Sequence, residues 1–145
     1  MTSISIHKEH IKEHIQELRD AITIGIEQRP ATLGLHTSAC SISLLELYLH
    51  KLEKIQGGTM IKHEWFKEPQ IGQKIIPVAE RKITAEFPHK EKIFKLLYII
   101  ENNRNKLIYG KPILTSIQTI LEAFQKLHAI IKEELAKKGE DIETL

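Results

Sequence analysis

Isoleucine and leucine return along the start of the chain in steps of four and three, at Ile11, Ile15, Leu18 and Ile22, with Ile4 seven residues ahead of the first. That interval matches the helical turn and predicts a helix from about Ser5 to Glu27 with one apolar face. Ile24 and Ile26 widen the face near its end. Pro30 then interrupts, since proline disfavours helix at Arg29 and is itself at ease as a first helical residue. A second helix is expected to begin between Pro30 and Ser43 and to run to about Ile55. Leu45, Tyr48, Leu49, Leu52 and Ile55 form one face and Leu44 and Leu47 another; a helix apolar on two sides belongs in the centre of a bundle. Ser43 followed by Glu46 has the form of a capping box. Gly34 and the stretch HTSACSIS are poor helix formers, and QGG at 56–58 is the expected stop.

Residues 59–87 hold no sustained period. One or two helical turns before Pro69 are expected, in an excursion that packs Trp65 and Phe66 onto the bundle, with a short strand at Lys74 to Ile76 as the weaker alternative. A third helix starts at FPHKEK, with Pro88 in its first turn, and carries Ile93, Leu96, Leu97 and Ile100 on one face. A fourth runs from Pro112 to about Lys138 on Ile113, Ile117, Ile120, Phe124, Leu127 and Ile131, flanked by Leu114, Leu121 and Leu135, and stops at Gly139. The last residues, EDIETL, are expected to fray. Four amphipathic helices with short links predict an all-α antiparallel bundle, one domain over residues 1–145 with 59–87 as its irregular excursion. The stripes of the first and last helices are long enough to feed a dimer interface as well as a core, so a homodimer is expected.

Composition narrows the function classes. A chain of 145 residues is long enough to bury a core without staples. With 21 basic and 19 acidic residues it lacks the strong basic excess of a duplex-DNA protein. The single cysteine, Cys40, excludes an internal disulfide and a cysteine zinc cluster, and among Ala39, Ile42 and Leu44 it reads as a small buried hydrophobe. The start is charged where a signal peptide is apolar, and no run approaches a membrane span, so a cytoplasmic protein without a membrane partner is expected. His7, His10 and His14 share one arc of the first helix, a spacing that can bind zinc or nickel; the plainer reading makes them boundary residues, and neither a metal nor a cofactor is assigned. Trp65 and Phe66, among Lys62, His63 and Lys67, can stack on exposed bases but more often serve packing. No Gly-rich phosphate loop, HExxH or nucleophile elbow occurs.

ENNRNKLIYGKP, residues 101–112, carries the chemistry. Arg104 falls about 20° from the direction of Ile93, on the stripe that also holds Leu97 and Ile100. A charge placed there must be paired or must line a cleft, because an isolated buried charge is very costly. The plain reading pairs Arg104 with Glu101 one turn earlier. Gly110 and Pro112 break the helix, which leaves Tyr109 free to fold back toward Arg104.

Arg104 to Gly110, RNKLIYG, resembles the signature of the HEPN superfamily, small helical-bundle proteins many of which are RNases of toxin–antitoxin and defence systems. Arg104 matches the motif arginine and Asn105 the polar residue after it; Tyr109 stands where the motif has histidine. The resemblance implies RNA or nucleotide binding through Arg104, Asn105 and Asn103. It also implies a metal-independent RNase in which Arg104 stabilises charge on phosphate. Tyrosine, with an ordinary pKa of about 10, is a poor base at neutral pH, so Tyr109 favours binding or a degenerate active site. His36, beside Thr37 and Ser38, can supply the missing imidazole if the start of the second helix faces the end of the third; otherwise Thr37 and Ser38 cap their helix. The catalytic candidates are thus Arg104, Tyr109 and His36. The alternative is a non-catalytic interaction module, such as a partner of a nucleotidyltransferase.

Overall fold

A computed structural model describes residues 4–56 and 58–145 and is all-helical, with no strand among them. Its elements are α1 (Ile4–Ile24), α2 (Pro30–Lys51), a 3-10 turn (His63–Phe66), α3 (Val78–Lys82), α4 (Lys90–Tyr109) and α5 (Leu114–Lys137). The bundle of four long helices expected from periodicity is therefore what forms. The two-sided helix takes the middle place: α2 packs against α1, α4 and α5, and α4 and α5 also pack on each other. Leu44, Leu45, Leu47, Tyr48 and Leu49 are completely covered, as are Ile11, Ile15 and Leu18 of α1 and Ile120, Phe124, Leu127, Ile131 and Leu135 of α5. The long outer stripes are thus largely covered within the chain itself. No helix among the described residues is long and apolar enough to cross a membrane.

Helix ends depart from the sequence reading for local reasons. Pro30 is the first residue of α2, so HTSACSIS lies inside the helix. Two of its hydroxyls are satisfied there by the helix itself, Thr37 Oγ1 donating to the Leu33 carbonyl and Ser41 Oγ to that of Thr37, each at 2.6 Å. Thr37 and Ser38 therefore cap nothing, and neither do Ser43 and Glu46: Ser43 is buried in mid-helix, and Glu46 Oε2 accepts from the Ile61 backbone N–H at 3.0 Å. Helix α2 stops before the expected glycines. Lys54 N–H reaches back to the Leu49 carbonyl at 2.8 Å, Glu53 N–H to that of His50 at 3.0 Å, and Glu53 takes φ 57°. That is a Schellman ending built on a residue with a Cβ; Gly57 lies outside the described residues. Glu53→Gly should relieve the left-handed strain and raise stability by about 0.5–1 kcal/mol, read as a melting temperature roughly 2 °C higher.

Residues 74–76 form no strand and stand exposed. Phe66 is buried in an aromatic group, 5.3 Å from the Phe94 ring and 5.9 Å from that of Tyr98, with Trp65 half-buried beside the core. The packing reading of these two residues thus holds. Pro88 lies ahead of α4, in the turn before Lys90. The same Schellman pattern closes α5 at Gly139, as expected, with Glu140 N–H on the Leu135 carbonyl at 3.0 Å. The tail does not fray. Lys8 and Lys51 both hold Glu140, at 3.2 and 3.1 Å, Ile142 is buried, His128 Nε2–H donates to the Glu143 carbonyl at 2.7 Å, and Arg19 donates to that of Thr144.

Candidate functional site

The close approach of α2 to α4 sets the site. At Gly34 a Cβ would stand 3.1 Å from Leu107 Cβ and 3.4 Å from the Arg104 carbonyl oxygen, so glycine lets the two backbones nearly touch there. The start of the second helix therefore does face the end of the helix bearing the motif. Arg104, at the rim of this seam, is half-buried and reaches a groove of about 410 Å³ walled by α1, α2, the 3-10 turn and α4. His14, Ser38, Lys62, His63 and Glu64 line the groove with it.

Arg104 is not neutralised by Glu101. No carboxylate among the described residues lies within 4.0 Å of it, and its Nη1 donates to Asn105 Oδ1 at 3.3 Å. Glu101, one turn earlier and buried, is occupied elsewhere. His63 Nδ1–H donates to its carboxylate, 2.8 Å from Oε2 and 3.1 Å from Oε1. Asn105 Nδ2 adds a bond to Oε1 at 3.4 Å. A chain of polar contacts thus runs His63–Glu101–Asn105–Arg104. It links the 3-10 turn to α4 and leaves the guanidinium facing the groove with most of its donors unused.

His36 turns toward α1, its Nδ1 2.9 Å from Nδ1 of His14. Two like ring nitrogens bond only when one carries hydrogen and the other a lone pair. Burial first, then the neighbouring His36, lowers the pKa of His14 below the ordinary imidazole value, which keeps this ring neutral near pH 7. Of the two, His14 is the one lining the groove with Arg104.

The other expected site residues are placed differently. Asn103 is buried, and its amide donates to the Ile99 carbonyl of its own helix at 2.8 Å, so it does not reach the groove. Tyr109 stays helical and is 78% exposed. Five residues on from Arg104 it points about 140° around the axis, so it does not fold back. The three N-terminal histidines also separate: His7 meets the edge of His50, ring centroids 6.0 Å apart, His14 meets His36, and His10 is exposed. Among the described residues no three of His, Cys, Asp and Glu converge on a point that could hold a metal. Cys40 is fully buried, and burial pushes its thiol up to about 12, an inert side chain.

Sequence reasoning missed His63 and its carboxylate, and valued His14 for the wrong neighbours. His63 sits where periodicity fails, so nothing local placed it beside α4. The one available signal was the four-residue step from Glu101 to Asn105, which puts both side chains on one face. No family model, curated protein or solved structure matches this chain.

Proposed function

We propose that this groove binds the phosphate of RNA or of a nucleotide, in the manner that the HEPN resemblance implies, with Arg104 as the principal contact. The observation that carries the reading is that Arg104, with no carboxylate within 4.0 Å among the described residues, stands at the rim of a groove also lined by Lys62, His14 and His63, with Glu64 the one carboxylate in its wall. A planar fork of donors suits phosphate oxygens, and the buried Glu101, already bonded to His63 and Asn105, leaves it free to do so. Asn105 steadies the arginine. Asn103 and Tyr109 take no part in this contact.

Arg104→Ala should weaken binding of a short single-stranded RNA about ten- to a hundredfold, the worth of one charge-assisted contact, and flatten the salt dependence. Stability should change by no more than about 0.5 kcal/mol, since no ion pair is lost. Titration of labelled RNA against both proteins checks this; equal affinities sink the reading.

A second reading, the interaction module, draws on a different surface. Ile71 is fully exposed, and Ile75 and Ile76 are 55% and 61% exposed on the same segment without regular structure. Isoleucines so displayed are candidates for burial by a partner protein, such as the nucleotidyltransferase considered above, or by a second copy in a homodimer. Loss of a co-purifying protein or of the dimer on replacing them by serine favours it; RNA binding unaffected by Arg104 favours it further.

A further inference from the structure

We propose that a second groove, between α3, the segment before it and α4, binds a linear aliphatic polyamine, with an ammonium seated against the Tyr98 hydroxyl beside the carboxylates of Glu68 and Glu80. This groove shares no lining residue with the one at Arg104 and does not depend on the phosphate reading.

The groove holds about 680 Å³ over an aromatic floor. Phe94 and Tyr98, one turn apart on α4, are both buried, with ring centroids 6.5 Å apart. Its charged rim has two ends. At the start of α4 the lysines are engaged: Lys90 donates to the Ala85 carbonyl at 2.7 Å and stands 3.5 Å from Glu86, and Lys95 stands 3.9 Å from Glu91. Glu68 and Glu80, at the Tyr98 end, have no cation within 4.0 Å among the described residues. The acidic excess therefore collects at that end.

Acidic side chains alone are a solvated surface; Tyr98 makes this one a site. Its side chain lines the groove and is only 8% exposed, and its hydroxyl has no hydrogen-bond partner among the described residues. Burial, then the charges of Glu80 and Glu68, push that hydroxyl up to about 12, so the oxygen lies toward those carboxylates and keeps its hydrogen. A buried hydroxyl without a partner carries a desolvation penalty that a matching ligand atom removes. Beside carboxylates, the matching atom is a donor that bears positive charge. An ammonium gives one hydrogen to the Tyr98 oxygen, and the Tyr98 hydrogen is free to turn to a carboxylate. An anion is repelled here, and no three ligating side chains among the described residues converge to hold a metal.

The same rings already accept an alkylammonium. The Lys90 nitrogen stands 5.6 Å from the centroid of Phe94 and 5.8 Å from that of Phe87. A chain with several ammoniums repeats this contact at the Tyr98 end and satisfies Glu68 and Glu80 together, where a monoamine leaves one of them unmatched. Its methylenes lie on the rings and on the exposed Ile76. Glu68 and Ile76 belong to the segment between the 3-10 turn and α3, which is neither helix nor strand, so the wall beside the hydroxyl can part to admit the nitrogen.

Isothermal titration of the full chain with spermidine tests the site. One molecule per chain should bind with a Kd below about 1 mM, and butylamine at least about tenfold more weakly. Tyr98→Phe should weaken spermidine binding about tenfold, the scale of one hydrogen bond to a charge, while melting without ligand at or above the wild-type temperature, because it deletes the orphaned group. A tyrosine that served packing alone would show the second effect without the first. Glu68→Gln combined with Glu80→Gln should weaken binding about three- to thirtyfold. Glu122→Gln, which removes an exposed carboxylate of α5, and Arg104→Ala should leave it unchanged. No saturable binding up to about 10 mM spermidine, equal affinity in wild type and Tyr98→Phe, or binding lost with Arg104→Ala overturns the site. The RNA titrations of the Arg104 groove decide the phosphate reading separately.

Discussion

Gly34→Leu is expected to lower the melting temperature by roughly 6–12 °C, a loss of about 2–4 kcal/mol, and to abolish the RNA binding proposed for the groove in the protein that remains folded. The first added carbon already stands 3.1 Å from Leu107 Cβ, 3.4 Å from the Arg104 carbonyl and 3.4 Å from Ile108 Cγ1. Two of these neighbours belong to or adjoin the α4 backbone and cannot swing aside as the end of a flexible side chain would. Three further carbons must push α4 outward as a body. That movement separates Arg104 from the wall that carries Ser38 and His14. Gly34→Ala separates the two effects. It gains about 1 kcal/mol of helix propensity and meets only the one tight contact, so it should be near neutral in stability. Thermal melts with RNA titrations on both variants check this; a leucine variant as stable as wild type means that the helices are not in close contact here.

Acidification from pH 7.5 to 5 is expected to lower the melting temperature by roughly 5 °C, apart from any unfolding by acidic carboxylates at lower pH. Burial, followed by neighbouring imidazoles, holds His7 and His14 below the ordinary value of 6.5. Burial does the same at His128, opposed by its bond to the Glu143 carbonyl. In the unfolded chain all three rings take up protons as the pH falls through 6.5, whereas in the folded protein they resist until lower pH. The unfolded state thus binds more protons in that window, so stability is complete above about pH 6.5 and declines as the pH drops toward the folded values. Each proton taken up only on unfolding changes the balance by about 1.4 kcal/mol per pH unit. Glu46 acts in the opposite sense at lower pH, because burial raises its carboxyl. Glu134 and Glu140, held low by Lys137 and by Lys51 with Lys8, add to the loss only below pH 4.5. Melts across this range on wild type and on His7→Gln/His14→Gln check it: the double variant should show a shallower slope, and an unchanged slope places the titration elsewhere.

The helices were legible because burial and periodicity are one property. Ile11, Ile15, Leu18 and the Ile117-to-Leu135 stripe had to be covered, and the two-sided α2 had to be central. The ends were less legible, since Glu53 closes α2 by accepting a left-handed backbone that its residue type does not announce. The groove was half legible. Arg104 stood out because a charge on an apolar stripe demands an explanation; the start of α2 does lie against the end of α4, but His36 itself turns to His14 on α1 and does not line the groove. What no local pattern held was the competition for Glu101. His63, from the segment without periodicity, claims that carboxylate first, and this releases the arginine that sequence proximity had paired with it. Tyr109 and Asn103 failed for a simple geometric reason: the helix continues unbroken to Tyr109, so each residue points where the helix turns it.

Because every other long helix leans on α2, its amide hydrogens have no partial opening through which to reach solvent. Isotope exchange along Leu44–Leu49 should then proceed only when the whole molecule comes apart, and its rate measures the lifetime of the intact bundle. Exchange at the α1 surface reports merely on fraying.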